Sequence, residues 1–139
     1  MSRLGHLRWL VLPLLVSGAA ACSWVPTPFQ RMAADTASTF SSAAETLRLE
    51  HPDESGATRL TREYAEAAFQ NYAEQISGVA GDLPKAGGAP DPELSAALVR
   101  LVETGTQIVG APCLDPGCDW QVQIQQLELA RDALLEVSG

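Results

Sequence analysis

DPELSAALVRLVETGTQIVG, residues 91–110, has the start, the stripe and the stop of one amphipathic helix. Asp91 is placed to cap the free N–H groups. Pro92 suits the first helical position, where its missing N–H is not needed, and Glu93 complements the positive end of the helix dipole. Leu94, Ala97, Leu98, Leu101, Val102, Ile108 and Val109 recur at helical spacing and form an apolar stripe. Gly110 and Pro112 close it. Gly105 lies within the stripe, where glycine costs about 1 kcal/mol relative to alanine. The offsetting gain is a close approach by a neighbouring helix.

Three more stretches read the same way. After Pro116, a helix starting by Trp120 and running to about Val137 gathers Trp120, Ile124, Leu127, Ala130, Leu134 and Leu135 on one face. Gln121-Val122-Gln123-Ile124 also alternates like a strand, but a lone strand has nothing to pair with, so helix is the expectation. Upstream, a helix is expected over about Ala57 to Ala80, with Leu60, Tyr64, Ala65, Ala68, Phe69, Tyr72, Ile76 and Val79 inward, Glu63, Glu66, Gln70 and Glu74 outward, and Gly81 and Pro84 as its stop. Residues 81–90 then form the loosest connection. The first helix spans about Pro28 to Glu50, capped by Thr27, with Phe29, Met32, Ala33, Thr36, Ala37, Phe40, Ala43, Ala44 and Leu47 on its buried face. His51-Pro52 ends it. Four such stretches predict an all-α domain over residues 28–139, an antiparallel up-down four-helix bundle.

The residues ahead of this domain have a different grammar. Arg3 and Arg8 precede the apolar run Trp9 to Val16, small residues fill 17–21, and Cys22 follows. This is the order of a secretory signal, and the apolar run is shorter than the roughly 20 residues that a membrane span needs. Ala19-Ala20-Ala21-Cys22 resembles the lipobox of bacterial lipoproteins, with Ala19 where leucine is commonest. That resemblance implies removal of residues 1–21, a diacylglyceryl group on Cys22, and Cys22 as the first residue of the mature chain. The same alanines also satisfy the A-x-A rule of the general signal peptidase, which would cut the same bond and leave Cys22 unmodified. Cysteine arithmetic favours lipidation. Cys113 and Cys118 are close enough to pair, which leaves Cys22 as the odd thiol of an exported chain. Residues 22–27 then form a short tether. Extended, the five residues after Cys22 reach at most about 18 Å, so the bundle is expected close to the membrane. Trp24 is read either as resting among the headgroups or as capping the bundle end.

Charge narrows the partners. The 139-residue chain has 9 basic and 17 acidic residues. Arg3 and Arg8 leave with the signal and no acidic residue does, so the mature chain has a net charge of −10. Nucleic acid requires the opposite footprint, and no nucleic-acid partner is expected. Charge attraction to anionic lipid is likewise unsupported, so attachment rests on the acyl chains.

Candidate chemistry is sparse. Cys113-Leu114-Asp115-Pro116-Gly117-Cys118 is a C-x4-C segment just ahead of the last helix. A disulfide fixing that corner is the expectation, with a redox pair or half of a metal site as alternatives. Thioredoxin-type redox pairs use C-x-x-C, and zinc needs four ligands where the mature chain has a single histidine. That histidine, His51, reads as an exposed helix-end residue. His51 and Met32 are about 28 Å apart on one helix, too far to ligate one haem iron. No cofactor or metal is expected. The serines of the first helix lack a nucleophile-elbow context, and Lys85, the one lysine, lies in the loose connection. Arg131 breaks the apolar side of the last helix. It is read as a snorkelling or ion-paired side chain, with a polar anchor for a ligand or partner as the sharper alternative.

The functional expectation is a lipoprotein held on a cell or outer membrane and facing the periplasm or exterior. It acts there as a non-catalytic binding module for an envelope protein. A carrier holding a small ligand between the helices is second and an enzyme third. An interaction module should expose an apolar patch, for which Leu49, Val122 and Leu129 are the candidates. A carrier should show a sizeable internal pocket with polar groups converging on it.

Overall fold

A computed structural model of the protein describes residues 25–51 and 60–139. The expected signal segment, Cys22, Trp24 and the expected start of the second helix at 57–59 lie outside the described residues. What is described is helical, with no strand among these residues. Helix α1 spans Pro28–Glu50, α2 Arg62–Gln75, the one-turn α3 Val79–Asp82, α4 Pro92–Gly110 and α5 Trp120–Ser138. A 3₁₀ turn at Leu83–Lys85 follows α3.

The helix starts are set by side-chain caps. At α1 the Thr27 hydroxyl accepts from the Gln30 N–H at 3.1 Å, while the Gln30 side chain accepts from the Thr27 N–H at 2.9 Å. This reciprocal capping box satisfies two otherwise free donors. Asp91 accepts from the Leu94 N–H at 3.1 Å to start α4, and Thr61 accepts from the Tyr64 N–H at 3.3 Å to start α2.

The second helix corrects the sequence reading. It ends at Gln75 instead of Ala80, because Gly78 takes a left-handed conformation with φ +79° and turns the chain. Ile76 and Val79 keep the apolar spacing across that break, so periodicity alone carries the helix through it. The expected loose connection is also partly structured: Leu83 is buried at 1% exposure.

The four long helices form a bundle in which α1 packs on α2, α2 on α4, α4 on α5, and α5 most extensively on α1. Thr46 and Tyr72 meet through their hydroxyls at 2.9 Å, and Thr39 and Gln75 through their side chains at 3.0 Å, across the α1–α2 seam. Arg48 and Glu128 pair across the α1–α5 seam. Phe29, Phe40, Leu47, Val102, Val109, Leu127 and Leu134 fill the interior. Three threonines of α1, Thr36, Thr39 and Thr46, are buried with them; each hydroxyl donates to a carbonyl one turn back, at 2.8–3.2 Å. Tyr64, Leu94 and Leu135 belong to the expected stripes but are 62%, 41% and 50% exposed. Each lies where its stripe runs toward the end of a helix and no neighbouring helix covers it.

Gly105 is fully enclosed, and a Cβ there would collide with the ring of Phe40. Phe40 is itself completely buried, so the ring has nowhere to retreat. Gly105→Ala gains about 1 kcal/mol of helix propensity, but overpacking typically costs about 1–3 kcal/mol. We expect the variant to be less stable than the parent, read as a lower urea midpoint with unchanged helical circular dichroism.

Candidate functional site

Five places on the fold bear on function, and the richest in polar contacts is the corner between α4 and α5. Cys113 and Cys118 meet there with their sulfur atoms at bonding distance and their Cα atoms 5.8 Å apart. Cys113 is buried and Cys118 is exposed. Gln123, one turn into α5, folds back over the corner. Its carbonyl accepts from the Cys113 N–H at 2.7 Å and its amide donates to the Ala111 carbonyl at 3.3 Å.

His51 enters this corner from the end of α1, which overturns its reading as an exposed residue. It is 5% exposed, its Nε2 lies 2.8 Å from the Cys113 carbonyl oxygen, and its ring stacks on Trp120 at 4.3 Å between centroids. A carbonyl accepts only, so Nε2 carries the proton in this bond. The nearby Glu50 carboxylate is 3.4 Å from the same nitrogen. Nothing local in sequence points to this contact, because the partner carbonyl is 62 residues away. The start of α2 closes the corner from another side, where Arg62 pairs with Asp115 at 2.6 Å and with Glu66 at 3.1 Å. The hydrogen bond from Asp115, then that from Glu66, raises the Arg62 pKa above its ordinary value. Both pairs are solvent-exposed, so they orient the loop more than they stabilise the fold.

The second place is a cleft of about 700 Å³ along the first half of α1, lined by Pro28, Arg31, Met32, Asp35, Gln75 and Val79 among others. It lies where α2 stops, with Gln75 at the helix end on its wall and Val79 beyond the turn. Three other clefts, of about 370, 470 and 260 Å³, also open to solvent.

Arg131 is the third. It lines the smallest cleft with Ser38, Ser41, Ser42 and Leu135. Its Nε donates to Asp132 at 2.9 Å and its guanidinium lies 4.0 Å from Glu128. The side chain is 27% exposed, so its head reaches the surface. The fourth is the outer side of α5, where Val122 and Leu129 are 47% and 60% exposed one heptad apart; Leu49 is half-buried. The fifth is the opposite end of the bundle, where Val25 is 71% exposed ahead of α1.

Among the described residues no group of three or more His, Cys, Asp or Glu side chains is placed to hold a metal ion. No helix there is long and apolar enough to cross a membrane. No family model, no curated protein and no solved structure matches the chain.

The corner has two sets of fastenings, the cysteine pair and the hydrogen bonds that His51 and Gln123 make to the backbone of Cys113 and Ala111. Closing a loop this short stabilises by about 2 kcal/mol on the chain-entropy model. Leaving a buried carbonyl unpaired costs about 1–3 kcal/mol. We therefore expect Cys113→Ser with Cys118→Ser, and separately His51→Phe, to lower stability by these amounts in urea titrations. Each should keep the helical content of the parent.

Proposed function

We propose that the chain is a non-catalytic cell-envelope lipoprotein, cut before Cys22 and held by acyl chains on that cysteine, whose helical domain binds an envelope partner on its outer surface. The lipobox-like Ala19-Ala20-Ala21-Cys22 supports the anchor. The capping box at Thr27 supports the short tether, because folded helix begins only a few residues beyond the cysteine.

The observation that carries the binding reading is the filled interior. Nine large side chains there are less than 2% exposed, and the clefts described above all open outward. Recognition on such a fold takes place on its surface. Val122 and Leu129 on α5 are the exposed apolar positions that suit a protein partner. The α1–α2 cleft favours a second reading, a small-ligand carrier, with the ligand held beside α1 instead of between the helices.

The anchor is tested directly. Mass spectrometry of the mature N-terminus should find acylated Cys22, and Cys22→Ala should move the protein from the membrane to the soluble fraction. A free Cys22 thiol on a soluble mature chain would sink the lipoprotein reading. For the partner surface, Val122→Glu with Leu129→Glu should weaken capture of envelope proteins by the purified chain while leaving thermal unfolding within about 0.5 kcal/mol of the parent, as for exposed sites.

A further inference from the structure

The two ends of the bundle differ in chemistry. Both carry charged side chains at the surface, Arg62, Asp115 and Asp119 at the α4–α5 corner and Asp82, Lys85, Asp91 and Glu93 opposite, but only the corner carries them within its loop. The opposite end gathers the residues before α1, the loop after the 3₁₀ turn and the start of α4. Its loop, residues 86–90, has no charged side chain. The Phe29 N–H donates to the Gly87 carbonyl at 3.0 Å, which ties the loop under the α1 terminus. Gly88 has φ +88°, and a Cβ there would strike Thr27, so the loop fits tightly against the cap. Val25 and Leu94 stand exposed at this same end, 71% and 41%.

We propose that this end is a docking surface for the zwitterionic headgroup layer of the bilayer, with Val25 and Leu94 as its apolar contacts. The proposal rests on the reading of Cys22 as the lipid-bearing residue. Cys22 precedes Val25 by three residues, so Val25 lies within about 11 Å of the anchor even when the chain is extended. The lipid surface is then the body that this end meets first. The composition suits that contact. Pro26, Pro28, Pro84, Pro90 and Pro92 have no N–H, so fewer backbone donors lose water as the end approaches lipid. Asp82, Asp91 and Glu93 at its rim outnumber Arg31 and Lys85. That balance opposes anionic headgroups and leaves zwitterionic ones as the match.

The test uses the acylated mature protein in vesicles of phosphatidylethanolamine and brominated phosphatidylcholine. Leu94→Trp and Val122→Trp are compared, each against the parent's own tryptophans. The fluorescence added by Leu94→Trp should be blue-shifted and lose most of its intensity, while that added by Val122→Trp should keep its intensity. Replacing the ethanolamine lipid with phosphatidylglycerol should reduce the quenching. If both positions stay unquenched on protein shown to be acylated, the docking surface is overturned and the lipoprotein reading stands. If mass spectrometry finds Cys22 unmodified, both fall. Stronger quenching with phosphatidylglycerol would overturn the headgroup preference. A photocrosslinker at position 94 that captured a second copy or an envelope protein in place of lipid would overturn the lipid assignment.

Discussion

The ring of Phe40 lies against the backbone of Gly105, and that contact sets the spacing of the whole bundle. The helices pack in a ring in which α1 and α4 are diagonal partners, so Phe40 reaches across the middle to find Gly105. Protein interiors are packed as tightly as organic crystals, with few voids larger than a water molecule. A phenyl ring at the centre therefore requires that the opposite helix give up its side chain there. The helix tolerates glycine because its neighbours Val102, Ile108 and Val109 are all buried and hold that segment by packing. With the diagonal fixed, α2 and α5 have their places beside α1 set as well. The small residues Ala33, Ala37 and Ala44, each buried to 1% exposure or less, leave α1 slim enough for both.

The same packing explains why polar groups gather at the ends. An interior without space for water admits threonine only where its hydroxyl bonds back to its own helix, as at Thr36, Thr39 and Thr46. Longer polar side chains act at the seams, as in Tyr72 with Thr46 and Arg48 with Glu128, or where helices start or stop. Thr27, Gln30 and Gly88 fasten one end, and His51, Gln123 and the cysteine pair fasten the other. The second set ties the end of α1 to the start of α5. It is the more elaborate because the chain there must leave α4, turn and re-enter within residues 111–119.

Much of this was legible in the sequence, and the failures have physical causes. Residues 28–50 and 92–110 read correctly because local chemistry decides them: a hydroxyl or carboxylate cap, proline at the first position, and a stop at proline or glycine. Gly105 was legible as a close approach, though the residue approaching it was not. The break was hidden because Ile76 and Val79 stay apolar on both sides of Gly78, and a left-handed Gly78 leaves no mark on periodicity. His51 was misread because burial of a helix-end histidine depends on a carbonyl and an indole that only the tertiary fold brings to it. Arg131 read as an odd residue on an apolar face. Its carboxylate neighbours, Glu128 and Asp132, are local, and its stem crosses the edge of that face to reach them.

The break at Gly78 has the widest consequence for how this molecule can recognise anything. The end of α2 at Gln75 and Val79 beyond the turn both line the cleft that holds Arg31, Met32 and Asp35. The chain turns, Leu83 drops into the core, and the following loop passes beneath the α1 terminus. The turn at Gly78 thus lies beside the cleft on the side of α1 and leads into an uncharged loop at the end where α1 starts. The apolar positions Val122 and Leu129 lie elsewhere, on the outer side of α5, and owe nothing to that turn. The proposed partner surface and the proposed membrane surface therefore occupy different parts of one small domain. The packing of its centre, where Phe40 meets Gly105, leaves every such surface on the outside.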